Sequence, residues 1–458
     1  MRTEAISINP ATGEEIARHP ALDGPALERV VAAADAAFAD WRTTSVDRRA
    51  QAFRRLADML EARRESLARL ITLEMGKPIT AAGAEIEKCA RLARWYADNL
   101  ARLLADETPD VGGDGMAIIS YLPLGVVLGV MPWNFPLWQV LRAAVPIMCA
   151  GNGFLLKHAD NVQGSARALD ECFRAAAFPE GLFGVVHADR ALVTGLLADR
   201  RIVGVTVTAG VTAGASLAAE AGRHIKKSLL ELGGSDPFIV LADADLDLAV
   251  AAAVEARFQN CGQVCIAAKR IIVAAPIMEA FVVRFVEAAR GIRYGDPLDP
   301  DTRMGPMARV RARSDVHGQV CRSVAMGARL LLGGEIPEGP GAYYPPTVLV
   351  DVTRDMPVCA EETFGPVAAI MAAEDAEDAV RIANDSDFGL SASLWTADIE
   401  AADRLARRIE TGAVFVNGMS ASDPRVPIGG VKHSGYGREL SHFGLREFCN
   451  VQLRWVRP

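Results

Sequence analysis

A chain of 458 residues, half of them hydrophobic, is too long for one compact domain, so two or three domains are expected. Its net charge of −8, with Lys and Arg scattered rather than blocked, argues against a dedicated nucleic-acid surface. The longest apolar stretches, such as LGVVLGVMPW (124–133), are too short and too broken by Gly and Pro to span a bilayer, and the opening MRTEAISINP lacks the apolar run of a cleavable signal.

In chain order, SINPATGEEIARHP (7–20) reads as a strand, a turn from Asn9-Pro10 to Gly13, and a returning strand. Two amphipathic helices follow. LERVVAAADAAFADWR is the first, and FRRLADMLEARRESLARLITLEMGKP is a longer one with Leu56, Leu60, Leu67 and Leu70 on one stripe and Gly76 and Pro78 as its stop. TPDVGGDG (108–115) is a loop, and MAIISYLP is a short strand after it. From residue 124, β-rich runs (LGVVLGV, GFLLKH, FGVVHA, RIVGVTVT, PFIVLAD) alternate with helical ones, the pattern of a parallel sheet covered on both faces. A second such series runs from PFIVLAD to about residue 420. The tail, LREFCNVQLRWVRP, ends in an alternating strand with no sheet of its own, of the kind that pairs with another segment or subunit.

Eight cysteines in a chain of this length are sparse, and most, like Cys149 in AVPIMCAGN, sit in apolar helical settings. Reduced thiols in a cytoplasm are expected, and with no clustered His or Cys no metal is. Three stretches stand out. PWNFPLWQVLR (132–142) puts Asn134 in a proline-framed turn after a strand. LLELGGSDPF (229–238) follows Glu231 with two glycines, where a backbone must approach something closely. FQNCGQVCIAAKR (258–270) spaces Cys261 and Cys265 four apart, as a nucleophile and its neighbour, as ligands or as packing. Each alone has a bland reading as turn former, solvated carboxylate or small buried residue. Together they supply a soft nucleophile, a base for water and an amide donor for an oxyanion.

At this point the chain resembles the NAD(P)-dependent aldehyde dehydrogenases over essentially its whole length. Gly262-Gln263-Val264-Cys265 matches the nucleophile motif and Glu231-Leu232-Gly233-Gly234 the base motif, in the usual interval. Glu362-Thr363-Phe364-Gly365-Pro366-Val367 matches a cofactor motif, and PIGGVKHSGYGRE (427–439) the segment near the C-terminus. The resemblance implies an α/β fold: a Rossmann-like cofactor domain (1–107 and 124–233), an α/β catalytic domain (234–425) and a small β oligomerisation flap (108–123 and 436–458). It also implies oxidation of an aldehyde through a thiohemiacetal and thioester on Cys265. Asn134 and the Cys265 N–H would hold the oxyanion, Glu231 would activate water, and Glu231 or the nicotinamide charge would favour thiolate.

Trp133, Lys157, Asp160, Gly210, Gly214, Leu232, Glu362 and Phe364 are implied cofactor contacts. Lys157 would reach the adenosine ribose and Glu362 the nicotinamide ribose, with Phe364 near the ring. Asp160 stands where NAD-preferring relatives carry Glu, which favours NAD over NADP, because a carboxylate accepts from a 2′-OH and repels a 2′-phosphate. Two departures stand against the family pattern: Ala209-Gly210 replaces Gly-Ser at the pyrophosphate turn, and Ala143 replaces a lysine with a proposed proton-relay role.

ASDPRV, KHADNV and GRELSHFGLREF resemble a bacterial-type NAD(P)-dependent succinate-semialdehyde dehydrogenase subgroup. Arg142 stands where such enzymes place a carboxylate-binding arginine. Gln259 occupies the place of a second one, and Arg425 is a candidate replacement cation. The implied substrate is a small carboxylate-bearing aldehyde. Glutarate semialdehyde, an aliphatic aldehyde, or cofactor-independent thioester hydrolysis are the alternatives. A homodimer or homotetramer is expected, with neither nucleic acid nor membrane as partner.

Overall fold

The computed structural model describes residues 4–113 and 115–457. Residues 1–3, 114 and 458, which fall in the expected segments 1–107, 108–123 and 436–458, lie outside the described residues. Two sheets organise the chain. The first takes the strands Phe183–Val185, Gly153–His158, Val126–Met131, Ile202–Thr208 and Lys227–Glu231 in that spatial order, all parallel. Numbered along the chain this is the order 3-2-1-4-5 of a dinucleotide-binding sheet. The second sheet has seven strands, with Arg270–Ala274 and Pro237–Val240 near its centre and one antiparallel edge, Arg329–Leu332.

The central strands are buried but for a half-buried Val130, so they read as unbroken apolar runs and not as alternating ones. Helices Val46–Ala62, Ile79–Leu103 and Trp138–Cys149 form a layer against one face of the first sheet, with Phe53, Leu56, Tyr96, Leu100, Leu141 and Val145 in a shared core. Local chemistry sets their ends. Asp23 accepts the Ala26 N–H at 2.8 Å to start the helix Gly24–Trp41. The long helix expected over 53–78 is two, Val46–Ala62 and Arg64–Met75, because Arg63 leaves helical geometry (φ −103°, ψ 13°). Gly76, at φ 81°, ends the second where the sequence places the stop.

The tail is more divided than its sequence suggests. Only Cys449–Val456 joins Met116–Pro123, in an antiparallel ribbon within the same chain. Residues 436–448, expected with the flap, contact the first sheet and its helix layer instead of the ribbon. Gly435–Tyr436 pairs antiparallel with Lys227–Glu231, and the helix Ser441–Arg446 packs against Trp138–Cys149. Pairing with the edge of the first sheet, rather than proximity in sequence to the ribbon, decides their place. Among the described residues no helix is long and apolar enough to cross a membrane, and no three His, Cys, Asp or Glu residues group as metal ligands.

Candidate active site

The loops at the carboxyl ends of the first sheet face the second sheet, and the site is built between them. The turn after Val126–Met131 is held from below and behind. The buried His158 ring lies between the Met131 and Pro136 carbonyl oxygens at 3.2 and 2.9 Å. Glu85 accepts the Leu137 and Trp138 N–H groups at 2.9 Å each, which caps the helix Trp138–Cys149. Lys77 pairs with Glu85 and lies 3.6 Å over the Phe135 ring. This frame fixes Asn134, which is 3% exposed. Its side-chain amide donates to the Gln263 carbonyl at 3.0 Å, and the Asn260 amide donates to the Asn134 carbonyl at 2.8 Å. The oxyanion candidate is thus tied to the turn that carries the thiol.

That turn leaves the helix Leu246–Phe258 through three left-handed residues, Asn260, Cys261 and Gly262 (φ 51°, 56° and 68°). A Cβ on Gly262 would lie 2.2 Å from the Gly365 carbonyl oxygen, so only glycine lets the Cys265 turn and the Glu362 loop touch. Gln263 braces the turn, accepting the Ala308 N–H at 3.0 Å and donating to the Asn260 carbonyl at 3.1 Å. Cys261 points into the apolar core of the second sheet, whereas Cys265 is half-buried beside the first; both thiols are free. Cys261 is packing.

Two residues that the sequence did not single out complete the site. Lys269, four after Cys265, is fully buried and donates to the Gly234 carbonyl (2.6 Å), the Cys265 carbonyl (2.8 Å) and the Glu362 carboxylate (2.8 Å). It joins the base, nucleophile and cofactor motifs, and its place in CIAAKR was the available sign. The other is Glu439, the final residue of PIGGVKHSGYGRE. It ion-pairs with Arg142, whose other side lies 3.6 Å from Glu231. All three side chains are 2–3% exposed.

This cluster sets the proton affinities. Burial raises the Glu231 carboxyl above the ordinary carboxylate range; the Arg142 charge opposes the rise and Glu439 adds to it. Burial likewise raises Glu439 against the pull of Arg142. Burial pushes the Cys265 thiol up to about 11; Arg142 and Lys269 pull it down, while Glu231 and Asp236 add to it. The charge of Glu231 therefore works against thiolate, contrary to the expectation that it favours it. Glu231 can help only by accepting the proton.

The remaining expected residues divide. A cavity of about 240 Å³ is lined by Trp133, Asn134, Gly210, Leu232, Cys265, Glu362 and Phe364, so seven residues drawn from five distant stretches meet there. A larger one of about 640 Å³ holds Lys157, Asp160 and His187 beside the helix Val211–Arg223. Gly210 is the N-cap of that helix, and the space where its side chain would stand is open, as a pyrophosphate requires. The two cavities at the switch point of a 3-2-1-4-5 sheet fit a nicotinamide dinucleotide. Gly214 is different. A Cβ there would lie 2.4 Å from Leu232, so that glycine serves close packing. Asp160 is ion-paired with Lys157 at 2.8 Å, so its charge does not stand alone against a 2′-phosphate. Arg142 is buried between two carboxylates, paired with Glu439 and 3.6 Å from Glu231, and its Nε and Nη2 make no hydrogen bond among the described residues. Arg425 is exposed and held by Asp423 through Nε and Nη2, at 2.8 Å each. Gln259 is half-buried at the end of the helix Leu246–Phe258.

A dinucleotide sheet whose switch point opens onto a cysteine turn is the framework of a dehydrogenase with a thiol nucleophile. Residues 2–453 match the Aldehyde dehydrogenase family, and the chain belongs to it. It is 54% identical to the Escherichia coli succinate semialdehyde dehydrogenase [NAD(P)+] Sad, over 99% of this chain and 98% of that one. It is 49% identical to succinate-semialdehyde dehydrogenase [NADP(+)] 1 of Mycobacterium ulcerans, over 98% of each. Among solved structures, the succinic semialdehyde dehydrogenase of Streptococcus pyogenes in complex with NADP+ superposes with a TM-score of 0.97 at 35% identity, covering 99% of this chain and all of that one.

Proposed function

We propose that the protein oxidises succinate semialdehyde to succinate with either NAD+ or NADP+, through an acyl-Cys265 thioester. The observation that carries this reading is the shared cavity, in which Cys265, Asn134, Glu362 and Phe364 meet at the mouth of a dinucleotide sheet. The relatives' names support the substrate and the use of both cofactors. The Lys157–Asp160 pair removes the reason to favour NAD.

Cys265 attacks the aldehyde carbon as thiolate, and Glu231 takes the thiol proton. The alkoxide of the thiohemiacetal accepts hydrogen bonds from the second N–H of the Asn134 amide and from the Cys265 main-chain N–H. Trp133, Glu362 and Phe364 would hold a nicotinamide dinucleotide, which would supply the acceptor for the hydride that this carbon gives up. Lys269 and Glu362 hold the loops on either side. Once the thiol proton has passed from Glu231 to solvent, Glu231 removes a proton from water, the hydroxide attacks the thioester, and the acid departs as the Cys265 sulfur leaves and takes that proton from Glu231.

Glu231→Gln should slow acylation and slow hydrolysis far more, so that NAD(P)H still appears as a burst of about one per site. Unaltered steady-state turnover in that variant would show that Glu231 is not the base.

The ribbon exposes Val451, Leu453 and Trp455, each about half accessible. We assign it to self-association, checked by light scattering of Leu453→Lys, which should lower the mass of the particle. The free thiols suit a reducing compartment such as the cytoplasm.

A further inference from the structure

The helix Trp138–Cys149 is buried along its whole length, and Gln139 and Arg142 are its only amide or charged side chains. Three residues apart, they share one face of the helix. That face is turned to the acyl site. The Arg142 charge reaches the Cys265 thiol, and Gln139 lines the cavity of about 240 Å³ that holds Cys265 and Asn134. Packing does not account for the Gln139 amide. Its Oε1 is buried without a hydrogen-bond partner, which destabilises the fold, and an apolar side chain of the same length would fill the space without that cost.

The other polar side chains of the cavity have other tasks. Asn134 gives one N–H to the Gln263 carbonyl, and its second serves the thiohemiacetal oxygen in the proposed reaction. Glu362 is an acid held by Lys269. Thr208 ends the strand Ile202–Thr208, two residues before Gly210 at the pyrophosphate turn. Gln139 is left, with an amide that offers two N–H groups to an anion. It is also the second residue of its helix, at the end where the peptide dipoles favour negative charge. Glu85, which caps that end, is neutralised by Lys77, so the end keeps its pull on an anion. Of the expected substrate contacts Arg142, Gln259 and Arg425, none lines this cavity; Gln139 does.

We propose that Gln139 is a specificity residue, whose side-chain amide donates to the distal carboxylate of the bound aldehyde and so favours substrates that carry one. This inference rests on the reading of the substrate as an ω-carboxy aldehyde.

The test compares succinate semialdehyde with butanal, which has the same chain length and no charge, in wild type, Gln139→Met and Gln139→Glu, both close to glutamine in size. The ratio of kcat/KM for succinate semialdehyde to that for butanal should fall by about 10- to 100-fold in the Met variant, chiefly through KM for succinate semialdehyde, as loss of a hydrogen bond to a charged group predicts. In the Glu variant, where a carboxyl meets the carboxylate of the substrate, it should fall further. The thermal midpoint of Gln139→Met should hold or rise, because the amide it replaces has an orphaned oxygen. An unchanged ratio, an equal loss with both aldehydes, or a ratio lost only along with the thermal midpoint overturns the proposal. A wild type that shows no preference for succinate semialdehyde over butanal would instead refute the substrate reading, before any variant is made.

Discussion

Two buried cations flank Cys265, and they are wired differently. Lys269 spends its three N–H groups on two main-chain carbonyls and one carboxylate, so it fixes where the Gly234, Cys265 and Glu362 loops lie. Arg142 donates to no main-chain carbonyl among the described residues; it sits between Glu231 and Glu439 and opposes the rise that burial gives their proton affinities. Both cations lower the thiol, but Lys269 also fixes the loops while Arg142 also acts on the buried carboxyls. A protein that carried both tasks on one cation could not tune the base without moving the nucleophile.

This division can be broken in stages. Cys265→Ala removes the group that both sides serve, and aldehyde oxidation measured as NAD(P)H formation should fall by at least about 10⁴-fold. Arg142→Ala leaves two buried carboxyls facing each other; chemical denaturation should show a loss of about 3–5 kcal/mol, far more than removal of a mere substrate contact. Asn134→Ala should lower kcat by about 10²–10³-fold while thermal stability changes little by comparison. Lys269→Met should raise KM for the dinucleotide by about tenfold or more, because Glu362 loses its anchor. The smallest effect is that of pH. The thiol and Glu231 both titrate above their ordinary values, so both are too protonated at neutral pH. Turnover should therefore climb as pH rises through the neutral range, and a profile falling over that range would contradict the assignment.

Much of the fold was legible because each parallel strand, buried on both faces, leaves a short apolar run between helical ones. The proposed trio could be picked out because Asn134, Glu231 and Cys265 each sit in a local sequence with its own constraint, such as the left-handed turn at Gly262. What could not be read were side-chain partners brought from afar. Nothing near Arg142 in the sequence shows that Glu439 will capture it, and nothing near Asp160 fixes how far Lys157 neutralises it. The helix expected over 53–78 failed for a similar reason. Leu67 stays on the buried stripe across the break at Arg63, so periodicity alone passes over the kink. The segment 436–458 is expected whole with the flap, whereas Gly435–Tyr436 pairs with Lys227–Glu231 and Ser441–Arg446 packs on Trp138–Cys149.

The acyl-enzyme is tested most directly by mixing Glu231→Gln with succinate semialdehyde and NADP+, quenching within the first turnovers and analysing the peptides by mass spectrometry. A succinyl group on Cys265, in amount equal to the NADPH released, is the predicted result. No adduct, or an adduct on a different residue with NADPH still formed, would contradict it.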